Sequence, residues 1–341
     1  MFVTLDERVD PAEAQSELQA LGVWPTAHQD ESGRIVGFAL AAHSAGVSIE
    51  RLGAVNGVRQ VLAPQSKHPL LDARANRPVE VAGLRIGDGP PVLMAGPCSV
   101  ESEEQIRVAA AMVAAAGARV LRGGAFKPRS SPYAFAGHGA LALGWMRRAA
   151  DSHGLAVVTE VMSEADVDLV AEHADLLQVG SRNMQSFALL RAVGAAGMPV
   201  LLKRGFAARI EEWLLAGEYL LDAGAAGVIF CERGVRGVDP QTRNVIDIAA
   251  AALLKHVHGL PVVVDPSHAV GRRDLIPVIG RAALAAGVDG LLVEAHPDPA
   301  AALSDAAQAL GPDELATLSF VPVPEDRNRA RIRYRQPPFW S

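Results

Sequence analysis

The chain has 341 residues, of which 50% are apolar and 21% are charged, and its formal net charge is −6. This composition is ordinary for a soluble globular protein, and the negative charge excludes a general attraction to nucleic acid. No apolar run approaches the roughly 20 residues that a membrane span needs, and the start of the chain lacks the pattern of a signal peptide. The two cysteines, Cys98 and Cys231, exclude a disulfide framework, so we expect a cytoplasmic protein.

The first 89 residues contain three segments with different sequence patterns. Residues 1–65 carry short segments in the order β-α-β-β-α-β, which predicts a ferredoxin-like split βαβ domain. The polar run SKHPLLDARANRP at 66–78 predicts a linker. The segment VEVAGLRIGDG at 79–89 then predicts a small hairpin that closes the bottom of the following domain.

From Val92 onward, short β-branched runs alternate with Ala/Leu-rich helical stretches. Each run is nearly continuous in apolar residues, as is typical of a parallel strand covered on both sides. The eight runs are VLMAG (92–96), RVLRG (119–123), AVVTE (156–160), DLLQVG (175–180), PVLLKR (199–204), GVIFCE (227–232), PVVVDP (261–266) and GLLVEAH (290–296). Eight units over about 220 residues favour a closed (β/α)8 (TIM) barrel at 79–311 over a doubly wound open sheet, which usually has fewer strands.

Residues 312–341 form a tail in which arginines recur at every second position from Arg327 to Arg335. An extended conformation would place these arginines on one face. The pattern predicts an arm that lies on the acidic surface of its own chain or of a sister subunit, with a lid or partner-binding arm as the alternative.

Polar side chains follow each of the eight runs, and barrel enzymes have their active sites where the strands end. One subset is cationic and predicts a site for a polyanion or for two anions. It comprises Arg122, Lys127, Arg129, Arg182, Lys203 and Arg233. Ser130 and Ser131 add hydroxyl donors in the same glycine-containing loop, and Glu160 and Asp265 end two other runs.

A second subset at the strand ends offers metal ligands, namely Cys98, His268, Glu294 and Asp305. A thiolate, an imidazole and carboxylates form a mixed donor set that suits Zn, Fe, Mn or Co better than Mg. Each residue also has a structural alternative, such as a buried hydrophobic role for Cys98. Cys231 lies within an apolar run, so we expect it in the core.

These motifs resemble the 3-deoxy-D-arabino-heptulosonate-7-phosphate (DAHP) synthase family in its type I-beta form. The resemblance covers 79–311 in order, and the Arg-rich tail is not part of the family pattern. It is carried by AGPCSVES (95–102), RGGAFKPRSSPYAFAGHG (122–139), TEVM (159–162), QVGSRNMQ (178–185), LLKRG (201–205), CERGVR (231–236), VDPSHAVGRR (264–273) and VEAHPDPAAALSD (293–305).

The resemblance implies a metal-dependent condensation of phosphoenolpyruvate with erythrose 4-phosphate, the first step of the shikimate pathway to aromatic amino acids. It implies one divalent ion (Mn, Fe, Co or Zn) bound by Cys98, His268, Glu294 and Asp305. It implies phosphoenolpyruvate contacts at Arg122, Lys127, Arg182, Lys203 and Arg233. It implies erythrose 4-phosphate contacts at Arg129, Ser130, Ser131 and Asp265. Lys127 as a proton donor and Glu160 as a residue that positions water are hypotheses within this interpretation.

Alternatives remain open at this point. The sister enzymes that make 3-deoxy-D-manno-octulosonate 8-phosphate normally read KANRSS where this chain has KPRSS (127–131), which favours erythrose 4-phosphate as the aldose. A non-catalytic paralogue and a secondary-metabolism variant are further alternatives. We expect residues 1–65 to sense tyrosine or phenylalanine, or else to serve assembly alone, and the resemblance implies a homodimer or homotetramer.

Overall fold

The structure is a computed structural model that describes residues 1–41, 44, 46–62, 66–127, 133 and 135–318. The described residues divide into two compact units, one built on Met1–Pro69 and the other on Leu70–Lys255 together with 259–318. None of the helices in these described ranges is long and apolar enough to cross a membrane.

The N-terminal unit is a four-stranded antiparallel sheet with two helices, and its strands lie in the spatial order β2-β3-β1-β4. Its elements are β1 (Phe2–Leu5), α1 (Pro11–Ala20), β2 (Pro25–Gln29), β3 (Ile35–Leu40), α2 (Ile49–Gly53) and β4 (Val58–Leu62). Helix α1 begins where the Asp10 carboxylate accepts a hydrogen bond from the amide of Ala12, which satisfies one of the free donors of the first turn. Phe38 and Leu18 are fully buried in the core of this unit. The predicted ferredoxin-like domain is confirmed.

The second unit contains a closed barrel of eight parallel strands that neighbour one another in chain order. The barrel strands are β7 (Val92–Gly96), β8 (Val120–Arg122), β9 (Ala156–Glu160), β10 (Leu176–Val179), β11 (Pro199–Lys203), β12 (Gly227–Glu232), β13 (Val262–Val264) and β14 (Gly290–Glu294). Strand β14 pairs with β7 and closes the barrel. The (β/α)8 prediction is confirmed, and the open-sheet alternative is excluded.

Helices surround this barrel and precede it. They are α3 (Pro69–Asp72), α4 (Glu103–Ala115), α5 (Ala140–Asp151), α6 (Val167–Ala171), α7 (Phe187–Ala195), α8 (Ile210–Asp222), α9 (Ile248–Ala252), α10 (Pro266–Val270), α11 (Ile276–Ala285) and α12 (Pro312–Ala316). Their apolar faces pack on the outward side chains of the strands, as Ile106, Leu190 and Trp213 do in one continuous core.

A hairpin of β5 (Val79–Val81) and β6 (Leu84–Ile86) precedes the first barrel strand. Val81 and Ile86 share a core with inward-facing strand residues such as Ile229, which is what a hairpin closing one end of the barrel should do. Cys231 is fully buried in the same core, as its apolar run predicts.

Two segments outside the predicted barrel boundaries are packed against it. In the predicted linker, the amides of Leu70 and Leu71 donate to the carboxylate of Glu218 at 2.8 and 3.0 Å and so satisfy the first turn of α3. In the predicted tail, Leu315 and Leu318 are buried in the outer core. The arginines at 327–335 lie outside the described residues.

Candidate active site at the mouth of the barrel

A polar cavity lies where the barrel strands end. It is lined by Arg122, Lys127, Glu160, Gln178, Gly180, Ser181, Arg182, Lys203, Phe206, Arg233, Arg243, His268 and Asp305. Five of the six predicted cations are in this set. Arg129, Ser130 and Ser131 lie outside the described residues. The eight strand ends therefore converge on one mouth, as their common phase in the sequence indicates.

The predicted metal ligands also converge. The thiol of Cys98 and the carboxylates of Glu294 and Asp305 offer donor atoms that all lie within 4.8 Å of one another. His268 Nε2 lies 3.3 Å from Glu294 Oε1 and 3.9 Å from Asp305 Oδ2. One sulfur, one imidazole nitrogen and two carboxylates fit Zn, Fe, Mn or Co. The donor set thus fits the divalent ion that the sequence predicts.

The ring of His268 is oriented by Asp265, the residue that begins α10. Asp265 Oδ1 accepts from the His268 backbone amide at 2.9 Å, and Asp265 Oδ2 lies 2.7 Å from His268 Nδ1. Placing the ring proton on Nδ1 leaves Nε2 free to act as a ligand. Burial lowers the pKa of His268, with the nearby carboxylates of Asp265 and Glu294 opposing it, which favours the neutral, metal-binding ring.

Asp265 is itself fully engaged. Its Oδ2 also accepts from Lys203 Nζ at 2.6 Å, and both side chains are buried. Burial alone would raise the pKa of Asp265, but its interactions with His268, including two hydrogen bonds, and the positive charge of Lys203 hold it well below its usual value. The sequence placed Asp265 among the sugar contacts; it is absent from the described residues that line the cavity, and its contacts instead favour an orienting role.

Glu294 ends β14 and is held by two donors. Its Oε1 accepts from Arg122 Nη1 at 3.1 Å, and its Oε2 accepts from Gln308 Nε2 at 2.6 Å. Burial opposes ionisation, but the neighbouring His268 ring and the charge of Arg122 lower the pKa of Glu294 to about 2. This carboxylate is therefore ionised across the physiological pH range and available as a ligand.

Cys98 and Lys127 meet at the first two strand ends. Lys127 Nζ donates to the carbonyl of Cys98 at 2.7 Å and lies 2.9 Å from its sulfur. A Cβ at Gly124 would approach the Lys127 side chain to 2.8 Å, so glycine is what permits this close contact. Burial raises the pKa of the Cys98 thiol to about 12, and Glu294 adds to the effect while Lys127 opposes it. Lys127 alone therefore leaves Cys98 as a thiol at neutral pH, and a bound metal ion would favour the thiolate.

Three guanidinium groups surround the ring of Phe206. Those of Arg182, Arg233 and Arg236 lie 5.8, 4.8 and 5.4 Å from the ring centroid. Arg233 is buried, its Nε contacts no hydrogen-bond acceptor among the described residues, and burial lowers its pKa. Arg122 Nε is likewise buried without an acceptor there. Buried donors without acceptors are costly, so these side chains indicate an anion-binding site.

Sequence reasoning missed several residues of the site, among them Phe206, Arg243 and Gln308. Phe206 directly follows the quoted LLKRG motif, and an aromatic residue among cations is the one signal that was available. Arg243 donates to Gln308 Oε1 at 2.8 Å and to Asp305 Oδ1 at 3.3 Å. Arg243 and Gln308 lie away from the ends of the eight runs, so the strand-end rule could not find them.

A closed barrel whose mouth joins a mixed sulfur, nitrogen and carboxylate cluster to a cavity of buried cations defines a (β/α)8 enzyme for anionic substrates. Residues 70–326 match the model of the DAHP synthetase I family, which spans well over half of the chain. The chain belongs to this family and is an enzyme of the DAHP synthase class.

Two of the similar proteins carry the name of this class, and a third carries the name of the octulosonate alternative. The chain is 46% identical over 265 residues to a phospho-2-dehydro-3-deoxyheptonate aldolase of Thermotoga maritima, which covers 76% of this chain and 77% of that protein. A crystal structure of DAHP synthase from the same organism superposes with a TM-score of 0.71 at 37% identity and covers 92% and 94% of the two chains. A 2-dehydro-3-deoxyphosphooctonate aldolase of Acidithiobacillus ferrooxidans is 35% identical over 64% of this chain and 84% of its own length.

Proposed function

We propose that this enzyme condenses phosphoenolpyruvate with erythrose 4-phosphate and water to give DAHP and inorganic phosphate, the first step of the shikimate pathway. The observation that carries the proposal is the single mouth in which buried cations border a Cys/His/carboxylate cluster. The two substrates together carry two phosphates and one carboxylate, and the six predicted cations are enough to bind all three anionic groups. The Thermotoga relative, a phospho-2-dehydro-3-deoxyheptonate aldolase, is named for the same seven-carbon product.

In this proposal the cavity binds phosphoenolpyruvate through two groups of cations. Arg122, Lys127 and Lys203 bind its carboxylate and bridging oxygen, and Arg182 and Arg233 bind its phosphate. Each group contains one arginine, Arg122 or Arg233, whose buried Nε has no acceptor among the described residues, which supports an anion at each group. Arg129, Ser130 and Ser131 are proposed to bind the phosphate of the aldose, on the sequence alone.

Cys98, His268, Glu294 and Asp305 are proposed to hold one divalent ion of Mn, Fe, Co or Zn. When bound, such an ion supplies Lewis-acid polarisation of the aldehyde oxygen. Asp265 holds His268 in the ligand-competent tautomer and also fixes Lys203. One carboxylate thereby links the metal half of the site to the substrate half.

Lys127 and Glu160 are proposed to donate and accept the protons of the reaction. The C3 carbon of phosphoenolpyruvate forms a bond with the aldehyde carbon, and the aldehyde oxygen takes a proton that we assign to Lys127. Water adds at C2 and gives one proton to Glu160. The C2–O bond to phosphate then breaks as the new C2 hydroxyl becomes the carbonyl, and its proton leaves with inorganic phosphate. A Cβ at Gly180 would overlap the Glu160 carboxylate, so glycine leaves room for this carboxylate at the mouth. Holding both substrates in one orientation removes much of the entropic barrier.

The choice of aldose is tested by phosphate release. We expect release with erythrose 4-phosphate, little with arabinose 5-phosphate, loss of activity with EDTA and recovery when Mn²⁺ is added. A preference for arabinose 5-phosphate would overturn the assignment of the sugar and favour the octulosonate alternative. Activity that survives exhaustive chelation would overturn the proposed metal dependence. Inactivity with both aldoses would favour a non-catalytic paralogue or an enzyme with an altered substrate.

We further propose that residues 1–65 are a regulatory domain that responds to tyrosine or phenylalanine, and that the enzyme is a dimer or tetramer. The support is a ferredoxin-like domain joined to a barrel that catalyses the entry step of aromatic biosynthesis. Deleting 1–65 should remove inhibition by these amino acids and keep phosphate release. Unchanged inhibition would contradict the regulatory role, and light scattering of both proteins measures the assembly.

A further inference from the structure

The segments that carry two candidate metal ligands run side by side and touch at successive residues. The thiol of Cys98 lies 3.2 Å from Asp305 Oδ2, and the next residue in one segment, Ser99, hydrogen-bonds through its hydroxyl to the hydroxyl of Ser304. Both serines are buried. The Ser99–Ser304 contact thus extends the Cys98–Asp305 contact away from the cavity.

Glu101 adds the next contact in this series. Its Oε1 accepts from the backbone amide of Leu303 at 2.8 Å, and its Oε2 lies 3.6 Å from His296 Nε2. His296 is buried and its Nδ1 accepts from the amide of Asp298 at 3.0 Å, so its ring proton lies on Nε2 and faces Glu101. The Glu101 carboxylate therefore holds the loop after β14 by one hydrogen bond, at Leu303, and lies beside His296, whose buried Nε2 has no hydrogen-bond partner among the described residues.

This loop needs external support more than the other ligand carriers do. Glu294 ends a barrel strand, His268 lies on α10 and Cys98 follows β7 directly. Asp305 instead follows an irregular segment and has a φ of 50°, a left-handed conformation that few residues other than glycine adopt. Such a conformation persists only where surrounding contacts hold it.

We propose that Glu101 is a positioning residue for the metal site, and that it acts by fixing the loop 296–305 so that Asp305 faces Cys98. The Glu101 carboxylate does not line the cavity, and it contacts the loop that carries Asp305, while its backbone lies three residues after Cys98. The inference rests on the proposed metal site. Groups that orient metal ligands typically contribute about 10- to 100-fold to metal affinity.

The test is the dissociation constant for Mn²⁺, measured by calorimetry on the full-length protein after chelation. Glu101→Ala should weaken binding about 10- to 100-fold. Glu101→Gln should stay closer to wild type, because it keeps an acceptor for the amide of Leu303. The matched control is Glu104→Ala, which removes a nearby exposed acid that pairs with Arg107 and should leave the constant unchanged.

A double-mutant cycle separates positioning from general destabilisation. If Glu101 acts through Asp305, then Glu101→Ala should have almost no further effect in an Asp305→Ala background. A further tenfold loss in that background, or unchanged Mn²⁺ binding by Glu101→Ala, would overturn the inference. Should Glu101→Ala fail to fold, Ser304→Ala takes its place and should weaken binding several-fold, with no change again overturning it. Failure of the wild type to bind Mn²⁺ would overturn the proposed cofactor as well.

Discussion

The two ends of the barrel are built from the same eight strands but are filled in opposite ways. At the bottom, Val81 and Ile86 of the hairpin complete an apolar core, and the buried carboxylate of Asp289 nearby is paired with Lys255. At the mouth, the buried charged side chains include Arg122, Lys203, Arg233, Asp265 and Glu294. Apolar packing stabilises the fold by itself, whereas buried charges require partners or ligands. The barrel therefore separates residues that maintain the fold from residues that bind and react.

The two cysteines provide the largest contrast. We expect Cys98→Ala to lower phosphate release about 1,000-fold or more, because it removes the sulfur of the proposed metal ligand set. Cys231→Ala should retain turnover and metal affinity and cost about 1 kcal/mol of unfolding free energy, since Cys231 lies in the apolar core. Steady-state kinetics and urea unfolding of both variants measure the two effects. A Cys98→Ala enzyme with near-normal turnover would erase the distinction between the two ends.

Two arginines of one loop provide the next contrast. Arg233→Met should lower kcat/KM for phosphoenolpyruvate about 100-fold, because it removes a buried cation with an unpartnered donor. Arg236→Met is the matched control. Arg236 lies against the same ring but is exposed, so its loss should cost only a few-fold. Equal effects of the two substitutions would show that the phosphate is bound elsewhere in the mouth.

Phe206 sharpens the comparison because it is an apolar residue in the ionic half. Its ring lies near the guanidinium groups of Arg182 and Arg233, and its negative face favours cations. We expect Phe206→Leu to raise KM for phosphoenolpyruvate about tenfold with a smaller change in kcat, and Phe206→Tyr to stay near wild type. If Leu and Tyr behave alike, the ring acts only as packing. The measurement is initial rate against phosphoenolpyruvate at saturating aldose.

Regular periodicity is what made most of this molecule predictable. Eight apolar runs fixed the barrel, and the common phase of their last residues brought Cys98, His268 and Glu294 to one place. A polar side chain at the end of a parallel strand has only one region to enter, so its position follows from the topology. The alternation of elements in residues 1–65 predicted the N-terminal sheet in the same way.

What the sequence could not predict lies outside that periodicity. Asp305 was predicted as a ligand, but the irregular loop that carries it, and the support of this loop by Glu101 across 202 positions of the chain, were not. Asp265 has the right phase for a sugar contact, yet its partners are His268 and Lys203. Side-chain partners of this kind depend on the relative placement of loops, which no short sequence pattern encodes.

The smallest effect is expected at the bottom of the barrel. Ile86→Val removes one methyl group from a fully packed core and should lower the free energy of unfolding by about 1 kcal/mol, measured by urea unfolding. Leu84→Val removes the same volume from a partly buried position of the same hairpin and should lower the free energy of unfolding by less than about 0.5 kcal/mol. KM for phosphoenolpyruvate, kcat and Mn²⁺ affinity should be unchanged in both, because the substitutions touch no group at the mouth. A change in KM for Ile86→Val without a change in stability would show that the two ends are coupled.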